Sequence, residues 1–134
     1  MNEFLLDPKL EEDTHFLTHL DNNTLLLNRN AHFYWLILVP HTEVTEFFQL
    51  HTAQQQEVLI LINKLSECLM QHFQIDKLNV ATLGNVVSQL HIHVIGRRHD
   101  DICWPKPIWE TTEFKAYDDK EVEAIKTLIM SAIE

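Results

Sequence analysis

The stretch SQLHIHVIGRR, residues 88–98, places two histidines two positions apart inside an apolar run. Because side chains alternate along a β-strand, the apolar residues would face one side and the histidines the other. The first face would carry Leu90, Ile92 and Val94, and the second Gln89, His91, His93 and Ile95. Same-face neighbours lie roughly 6.5–7 Å apart, so both imidazoles could contact one small group such as a phosphate. The stretch therefore predicts a strand with a core face and a binding face.

The two histidines also permit less specific interpretations. A single histidine on a half-buried strand is most often a hydrogen-bonded residue without a chemical role, although two in register weaken that interpretation. A His-x-His pair on a strand is also a common pair of metal ligands, for which His99 or Asp101 is the nearby candidate for a third ligand. The residues alone leave these alternatives open.

Four segments are typical of β-strands. Residues 23–28 and 32–40 are rich in branched and aromatic side chains and are joined by the turn-like pair Arg29-Asn30. Residues 77–83 and 88–95 flank a Gly84-Asn85 pair, which predicts an antiparallel hairpin.

Two segments predict helices. Thr52 and Gln55 have the spacing of a capping box that opens a helix ending near Phe73, and Asp118 with Glu121 has the same spacing before the last helix. Each helix carries an apolar stripe at helical spacing. The stripes are Val58, Leu61, Ile62, Leu65, Leu69 and Phe73 in the first helix, and Val122, Ile125, Leu128, Ile129 and Ile133 in the second. We expect an α+β fold with an antiparallel sheet, one long helix and one C-terminal helix.

Length and charge limit the classes of function. A chain of 134 residues, 46% of them hydrophobic, predicts a single domain spanning 1–134. Its net charge of −10 argues against nucleic acid and anionic membranes as partners. The start lacks a secretory pattern, the longest apolar run is too short to cross a bilayer, and Cys68 and Cys103 suggest neither a disulfide framework nor a zinc ribbon. We expect a cytoplasmic protein.

The only two glycines, Gly84 and Gly96, bracket the histidine stretch. Glycine permits positive φ and close backbone approach, as a phosphate-cradling turn requires, but a plain hairpin turn at Gly84 explains it equally well. The sequence contains no GxGxxG or GxxxxGK[ST] pattern, so the usual nucleotide-binding folds are not indicated.

The stretch NVATLGNVVSQLHIHVIGRR, residues 79–98, resembles the signature of the histidine-triad family of nucleotide hydrolases and transferases, whose motif is His-x-His-x-His followed by two apolar residues. The similarity extends to FLLDPKLEEDT, to LILVP and to DDICWPKPIW, so it covers most of the chain. In particular, the chain resembles a bacterial subgroup with QLHIHV in place of the full triad.

The resemblance implies an α+β homodimer that cleaves a phosphoanhydride or phosphoramidate at the α-phosphate, in the manner of diadenosine tetraphosphate hydrolases. His91 would be the nucleophile and form a nucleotidyl-histidine. The backbone carbonyl of Gln89 would hold the Nδ1–H of His91, and His93 would contact the phosphate and act as a general acid toward the leaving group. The partner would be a small nucleotide, and this scheme needs no cofactor and no metal.

The substrate contacts follow from the same resemblance. Backbone N–H groups at Gly84, Asn85 and Val86 would bind the phosphate, Val86 standing where the family often has a hydroxyl residue. Asn28 approximates the family's ribose-binding residue and Asn79 a nucleotide contact, each with a one-residue shift. For Asn79, a solvent-facing strand residue is an equally good interpretation.

The chain departs from the family at both members of its outer histidine pair. Gln89 replaces the first triad histidine, and Trp35 stands where a fourth commonly lies. We expect the Trp35 indole to donate to the Gln89 side-chain oxygen as a substitute. A nucleotide-binding module with little or no turnover, and a His-x-His metal protein, are the competing functions.

Residues beyond the motif receive structural interpretations. Arg97 is expected to pair with Asp100 or Asp101, and Trp104 and Trp109 to pack the C-terminal segment against the body or a partner subunit.

Overall fold

A computed structural model describes residues 4–133 as one antiparallel sheet with three helices. In chain order the elements are α1 (Pro8–Asp13), β1 (Thr14–Leu20), β2 (Asn23–Asn28), β3 (Tyr34–Pro40), a 3₁₀ turn (Phe47–Gln49), α2 (Thr52–His72), β4 (Lys77–Ala81), β5 (Ile92–Arg97) and α3 (Asp119–Ile133). The strand order is β1-β2-β3-β5-β4, with every neighbouring pair antiparallel. The predicted α+β class and antiparallel sheet are confirmed.

The edge strand β1 and the short helix α1 were not predicted from the sequence. Strand β1 has no apolar alternation because a bulge between Phe16 and Thr18 shifts its register against β2. As a result Thr14 and Leu17 are buried, three residues apart, while Phe16 between them is 54% exposed. A spacing of three breaks the alternation by which a strand is recognised, which is why the sequence does not indicate this strand.

The predicted antiparallel pairing of the two strands is confirmed, but the turn predicted at Gly84-Asn85 is wrong. Strands β4 and β5 do pair, with Ala81 opposite His93, but residues 82–91 form a long loop between them. Gly84 lies in this loop with a φ of +72°, a conformation that glycine adopts without strain. Strand β5 starts at Ile92 rather than at 88, and in the preceding loop the carbonyl of Gln89 accepts a hydrogen bond from the His91 ring.

One face of the sheet packs against α2 and α3. Both predicted stripes lie on this side, where Val58 and Leu65 of α2 and Ile129 of α3 are almost completely buried. The capping box of α3 is confirmed, since the Asp118 carboxylate accepts from the Glu121 amide at 2.7 Å. That of α2 is wrong: His51 precedes the helix, and the Gln55 side chain donates to the carbonyl of Leu50 instead.

The opposite face of the sheet is covered by two irregular stretches. Leu10 from the N-terminal segment, residues 4–13, packs on Leu26 and Ile37. Ile108, from the C-terminal segment, residues 101–117, packs on Phe33 and Ile95. The predicted second face of the histidine strand therefore lies between these two segments.

None of the helices among residues 4–133 combines the length and apolar character needed to cross a bilayer.

Candidate functional site

His91 and His93 lie side by side on the sheet face that the helices leave free. His93 is in β5, between Ile37 of β3 and Ala81 of β4, and His91 immediately precedes the strand. Their ring centroids are 4.9 Å apart, and each residue is only 6% exposed. Leu90, Ile92 and Val94 point into the helical core, so the predicted division of faces is confirmed.

A backbone carbonyl fixes the tautomer of His91. The Nδ1 atom lies 2.7 Å from the carbonyl oxygen of Gln89. Because a carbonyl only accepts hydrogen bonds, the ring proton must be on Nδ1, which leaves the lone pair on Nε2. The hydrogen bond expected at this position is present, and it presents Nε2 as a nucleophile or a ligand.

The prediction that Trp35 donates to Gln89 is wrong, because Trp35 contacts His93 instead. The indole Nε1 of Trp35 lies 2.9 Å from Nδ1 of His93. In the β3–β5 ladder Trp35 is opposite Ile95, so the residue diagonal to it on β5 is His93, while Gln89 lies before the strand begins. An indole only donates, so His93 Nδ1 accepts and the proton resides on Nε2. The two histidines therefore carry opposite tautomers.

His93 is held uncharged by its surroundings. Burial, and to a lesser degree the neighbouring His91, lower its pKa to about 4. At neutral pH His93 is therefore a neutral imidazole whose Nε2–H is a hydrogen-bond donor.

The side chain of Gln89 holds the N-terminal segment rather than another triad residue. Its Oε1 accepts from the amide of Asp7 at 2.8 Å, and its Nε2 donates to the carbonyl of Leu5 at 2.9 Å. These bonds join the histidine strand to the segment before α1. No local pattern could predict contacts that span more than 80 positions of the chain.

Trp109 lies at the site, although the sequence indicated only a packing role. Its ring centroid is 4.8 Å from that of His93 and 5.8 Å from that of Trp35, both in edge-on geometry. Trp35 and Trp109 line a cleft of about 310 Å³ together with Asn28. The aromatic pair thus forms a wall between the histidines and the cleft where Asn28 lies.

The two predicted asparagines differ in their surroundings. Asn28 lines the cleft beside the tryptophans, and its Oδ1 accepts from the amide of Asn30 at 2.9 Å. The Oδ1 of Asn79 instead accepts from Nη1 of Arg97 at 3.0 Å. Asn79 is therefore bound within a buried ionic cluster and is not brought to the histidines.

Arg97 pairs with Asp101, one of its two predicted partners. Two hydrogen bonds of 2.6 and 3.0 Å join the guanidinium to the Asp101 carboxylate, and both side chains are almost fully buried. Asp100 pairs with Arg98 at the surface. The Asp101 carboxylate, proposed as a third metal ligand, is thus occupied by Arg97.

Within residues 4–133, no three His, Cys, Asp or Glu side chains are grouped so that they could hold a metal ion.

The predicted phosphate-binding residues belong to the loop that leads into the histidine strand. Asn85 and Val86 are exposed, and Val86 is 87% accessible. The following residue, Val87, is buried against Ile37 and Val39 on the histidine face of the sheet. Val87 therefore anchors the loop next to the strand, while Asn85 and Val86 stay exposed to solvent and Gly84 is partly exposed.

A second cleft, of about 560 Å³, adjoins the opposite end of the site. Ser88 and Gln89 form one wall, and Phe4, Asp7 and His41 line its other sides. Phe4 stacks on His41 with ring centroids 4.3 Å apart. Gln89, whose carbonyl binds His91, borders this cleft, whereas Trp35 and Trp109, which contact His93, border the other.

Comparison with known proteins identifies the family of this chain. Residues 9–100 match the HIT domain family, so the chain belongs to the histidine triad family. A solved histidine triad protein from Bradyrhizobium japonicum is 35% identical, with a TM-score of 0.93 and coverage of 98% of each chain. One from Marinobacter aquaeolei VT8 is 35% identical, with a TM-score of 0.92, over 98% of this chain and 97% of the other. Comparison with curated proteins gives no match.

Proposed function

We propose that the protein cleaves a nucleoside phosphoanhydride or phosphoramidate at the α-phosphate through a covalent nucleotidyl-His91 intermediate, with dinucleoside polyphosphates as candidate substrates. Membership of the histidine triad family supports nucleotide binding and hydrolase or transferase chemistry. The observation that carries the proposal is the hydrogen bond from His91 Nδ1 to the Gln89 carbonyl, which leaves Nε2 free to attack phosphorus.

In the proposed reaction, the Nε2 lone pair of His91 forms an N–P bond while the bond from phosphorus to the leaving group breaks. The imidazole then carries a positive charge, and the Gln89 carbonyl stabilises it through the Nδ1–H. Water attacks phosphorus in the second step, the N–P bond breaks with its electron pair on Nε2, and the proton lost by the water passes to solvent, which restores neutral His91. Dividing one displacement into two in this way is the advantage of a covalent intermediate.

The remaining groups have supporting roles in the proposal. The Nε2–H of His93 donates to a phosphoryl oxygen, and the open amides of Gly84, Asn85 and Val86 bind the other oxygens. Asn28 contacts the ribose in the cleft beside Trp109. Asn79, unlike Asn28, does not line this cleft, and its side-chain oxygen is bound to the buried Arg97, so it is not proposed as a substrate contact.

The partners in this proposal are a small nucleotide and a second copy of the chain, with no nucleic acid and no membrane. The cytoplasmic location stays a prediction.

The proposal is tested with His91→Asn and a panel of adenosine and guanosine phosphoanhydrides and phosphoramidates. Products are identified by mass, and the wild-type protein is quenched during turnover to seek an adduct of nucleotide mass on the peptide containing His91. We expect turnover and adduct in the wild type, and nucleotide binding without either in His91→Asn. Near-normal turnover by the variant would overturn the proposal. Binding without turnover by the wild type would establish a nucleotide-binding module instead.

A further inference from the structure

The bond between Trp35 and His93 restricts what His93 can do with a proton. The indole N–H donates to Nδ1 across 2.9 Å, so Nδ1 cannot bind a proton without placing two N–H groups against each other. The site is buried, so the unfavourable contact would not be relieved by water. His93 can become an imidazolium only by breaking its bond to Trp35.

Among residues 4–133, no negative charge next to His93 offsets this restriction. Its strand neighbours are Ile37 on β3 and Ala81 on β4, and aromatic rings of Trp35 and Trp109 cover it. The titratable side chain that contacts the ring is His91, whose positive charge would oppose a second cation. Neither the strands nor the C-terminal segment brings a carboxylate to the ring among these contacts.

We infer that Trp35 is a positioning residue that locks His93 as a neutral Nε2–H donor, and that the site therefore favours phosphoanhydrides over phosphoramidates. The first part concerns the histidine itself, whereas the preference for one substrate class rests on the proposed function. A His93 that is locked in its neutral form does not act as the general acid that the family resemblance implied.

The substrate preference follows from where the proton of the leaving group must come from. When a phosphoanhydride is cleaved, the P–O bond breaks with its electron pair on a phosphate oxygen, and that anion leaves without being protonated. When a phosphoramidate is cleaved, the P–N bond electrons would reside on an amide anion, which is far too basic to leave. The amine must therefore receive a proton as the P–N bond breaks. His93 cannot supply that proton while it is locked, because it does not form the imidazolium.

The tautomer is measured directly by two-bond ¹H–¹⁵N NMR of the imidazoles in the intact protein. We expect His93 to carry its proton on Nε2 and to stay neutral from pH 5 to pH 8. In Trp35→Phe, the opposing N–H is gone, so the His93 titration should move up by about one pH unit. Trp109→Phe is the matched control, because Trp109 meets His93 only through its ring edge, and it should leave the tautomer unchanged.

Two NMR results would overturn the inference. One is a wild-type His93 that carries its proton on Nδ1 or titrates near pH 6.5. The other is a Trp35→Phe variant whose His93 titration is the same as in the wild type. Neither result depends on turnover, so the lock is tested even if the proposed function fails.

The substrate preference is tested with diadenosine diphosphate and adenosine 5′-phosphoramidate, which share the same nucleotidyl group. We expect the wild type to give the higher kcat/KM with the anhydride, and the ratio of the two values to fall on the order of tenfold in Trp35→Phe. A ratio that does not change, with both substrates turned over, would overturn the link between Trp35 and the leaving group. Absence of turnover with both substrates would contradict the proposed function and leave the NMR result standing.

Discussion

At position 89, the backbone and the side chain of one glutamine make separate contacts. The carbonyl accepts the hydrogen bond from His91, and the side chain binds Leu5 and Asp7 of the N-terminal segment. A histidine at this position would keep the carbonyl, but its acceptor and donor nitrogens are separated across a ring, whereas those of the amide are on one carbon and match the Asp7 amide and the Leu5 carbonyl. Gln89 therefore supports the site from its backbone and fastens the N-terminal segment with its side chain.

We expect Gln89→Ala to retain measurable turnover, reduced on the order of tenfold to a hundredfold, because only supporting contacts are lost. Hydrogen exchange at residues 4–13 should become faster, since the Leu5 and Asp7 bonds are removed. Single-turnover kinetics and exchange mass spectrometry measure the two effects. If Gln89→Ala is as inactive as His91→Ala while still folded and able to bind nucleotide, the side chain itself acts in catalysis.

His93 should make the free energy of unfolding depend on pH. The unfolded chain binds a proton at this residue near pH 6.5, whereas the folded protein resists it until about pH 4. Stability should therefore fall as the pH drops from 6.5 to 4, by an amount approaching about 3 kcal/mol from this residue. Urea unfolding of wild type and His93→Gln across this range isolates the contribution, since the other titrating groups are common to both proteins. Parallel pH curves would contradict the pKa assigned to His93.

Similar substitutions in the two arginine pairs should change the free energy of unfolding by very different amounts. Asp101→Asn leaves Arg97 charged and buried without its partner, which should cost about 3 kcal/mol or more of the free energy of unfolding. Asp100→Asn breaks the exposed Arg98 pair and should change stability little, because solvent screens it. Urea denaturation of the two variants provides the comparison. Equal losses would contradict the prediction that burial makes the Arg97 pair more important for stability than the Arg98 pair.

Among the secondary-structure elements, strand β5 and the turn after α2 are fitted closely together. A Cβ added at Gly96 would lie 2.7 Å from Cγ2 of Ile75, closer than such atoms approach in folded proteins. Gly96 pairs with Tyr34 and Leu78 on the two neighbouring strands, so β5 has little freedom to move away. Gly96 is required because no space is left for a side chain, whereas Gly84 is favoured because its φ is positive.

We expect Gly96→Ala to destabilise the protein by about 1–3 kcal/mol, the usual cost of overpacking. Ile75→Ala alone should also destabilise, because it leaves a cavity in the core. In the double variant the methyl group added at position 96 enters the space that the Ile75 side chain vacated, so the two losses should be less than additive. A double-mutant cycle by urea denaturation measures this coupling. Strict additivity would mean that contact with Ile75 is not the reason why Gly96→Ala destabilises the protein.

At the scale of the whole molecule, the apolar side chains that remain exposed indicate where a second copy of the chain would bind. The apolar stripe of the last helix is not available to a second copy, because Ile125, Ile129 and Ile133 are buried in the core of the same chain. Exposed apolar side chains are found instead on α2, where Leu59 and Met70 are about half accessible and share a helix face. This face is a candidate for subunit contact.

We predict a homodimer on family grounds together with this exposed face. Light scattering at micromolar concentration should give twice the 15.8 kDa mass of the chain. A Met70→Glu variant should shift the mass toward the monomer, with Glu67→Gln as a control for altered charge on the same helix. A monomer mass for the wild type would contradict the prediction.

Local patterns in the sequence are enough to predict the two apolar stripes, the cap of α3 and the two faces of the histidine strand. Each depends on contacts between residues a few positions apart, or on the alternation that any strand imposes. The roles of His91 and His93 in phosphate chemistry came from the resemblance and are still proposals. By contrast, β1 could not be recognised, because its bulge removes the alternation on which recognition depends.

The groups that the site residues contact are set by tertiary packing, and no local pattern indicates them. Trp35 binds His93 rather than Gln89 because strand register, which depends on the whole sheet, sets which residues are diagonal neighbours. Asn79 is bound to Arg97, and Gln89 to the N-terminal segment, through pairs far apart in the chain. Such hydrogen bonds depend on positions that are fixed only when the core has formed, so the tautomer and charge of each histidine are properties of the fold.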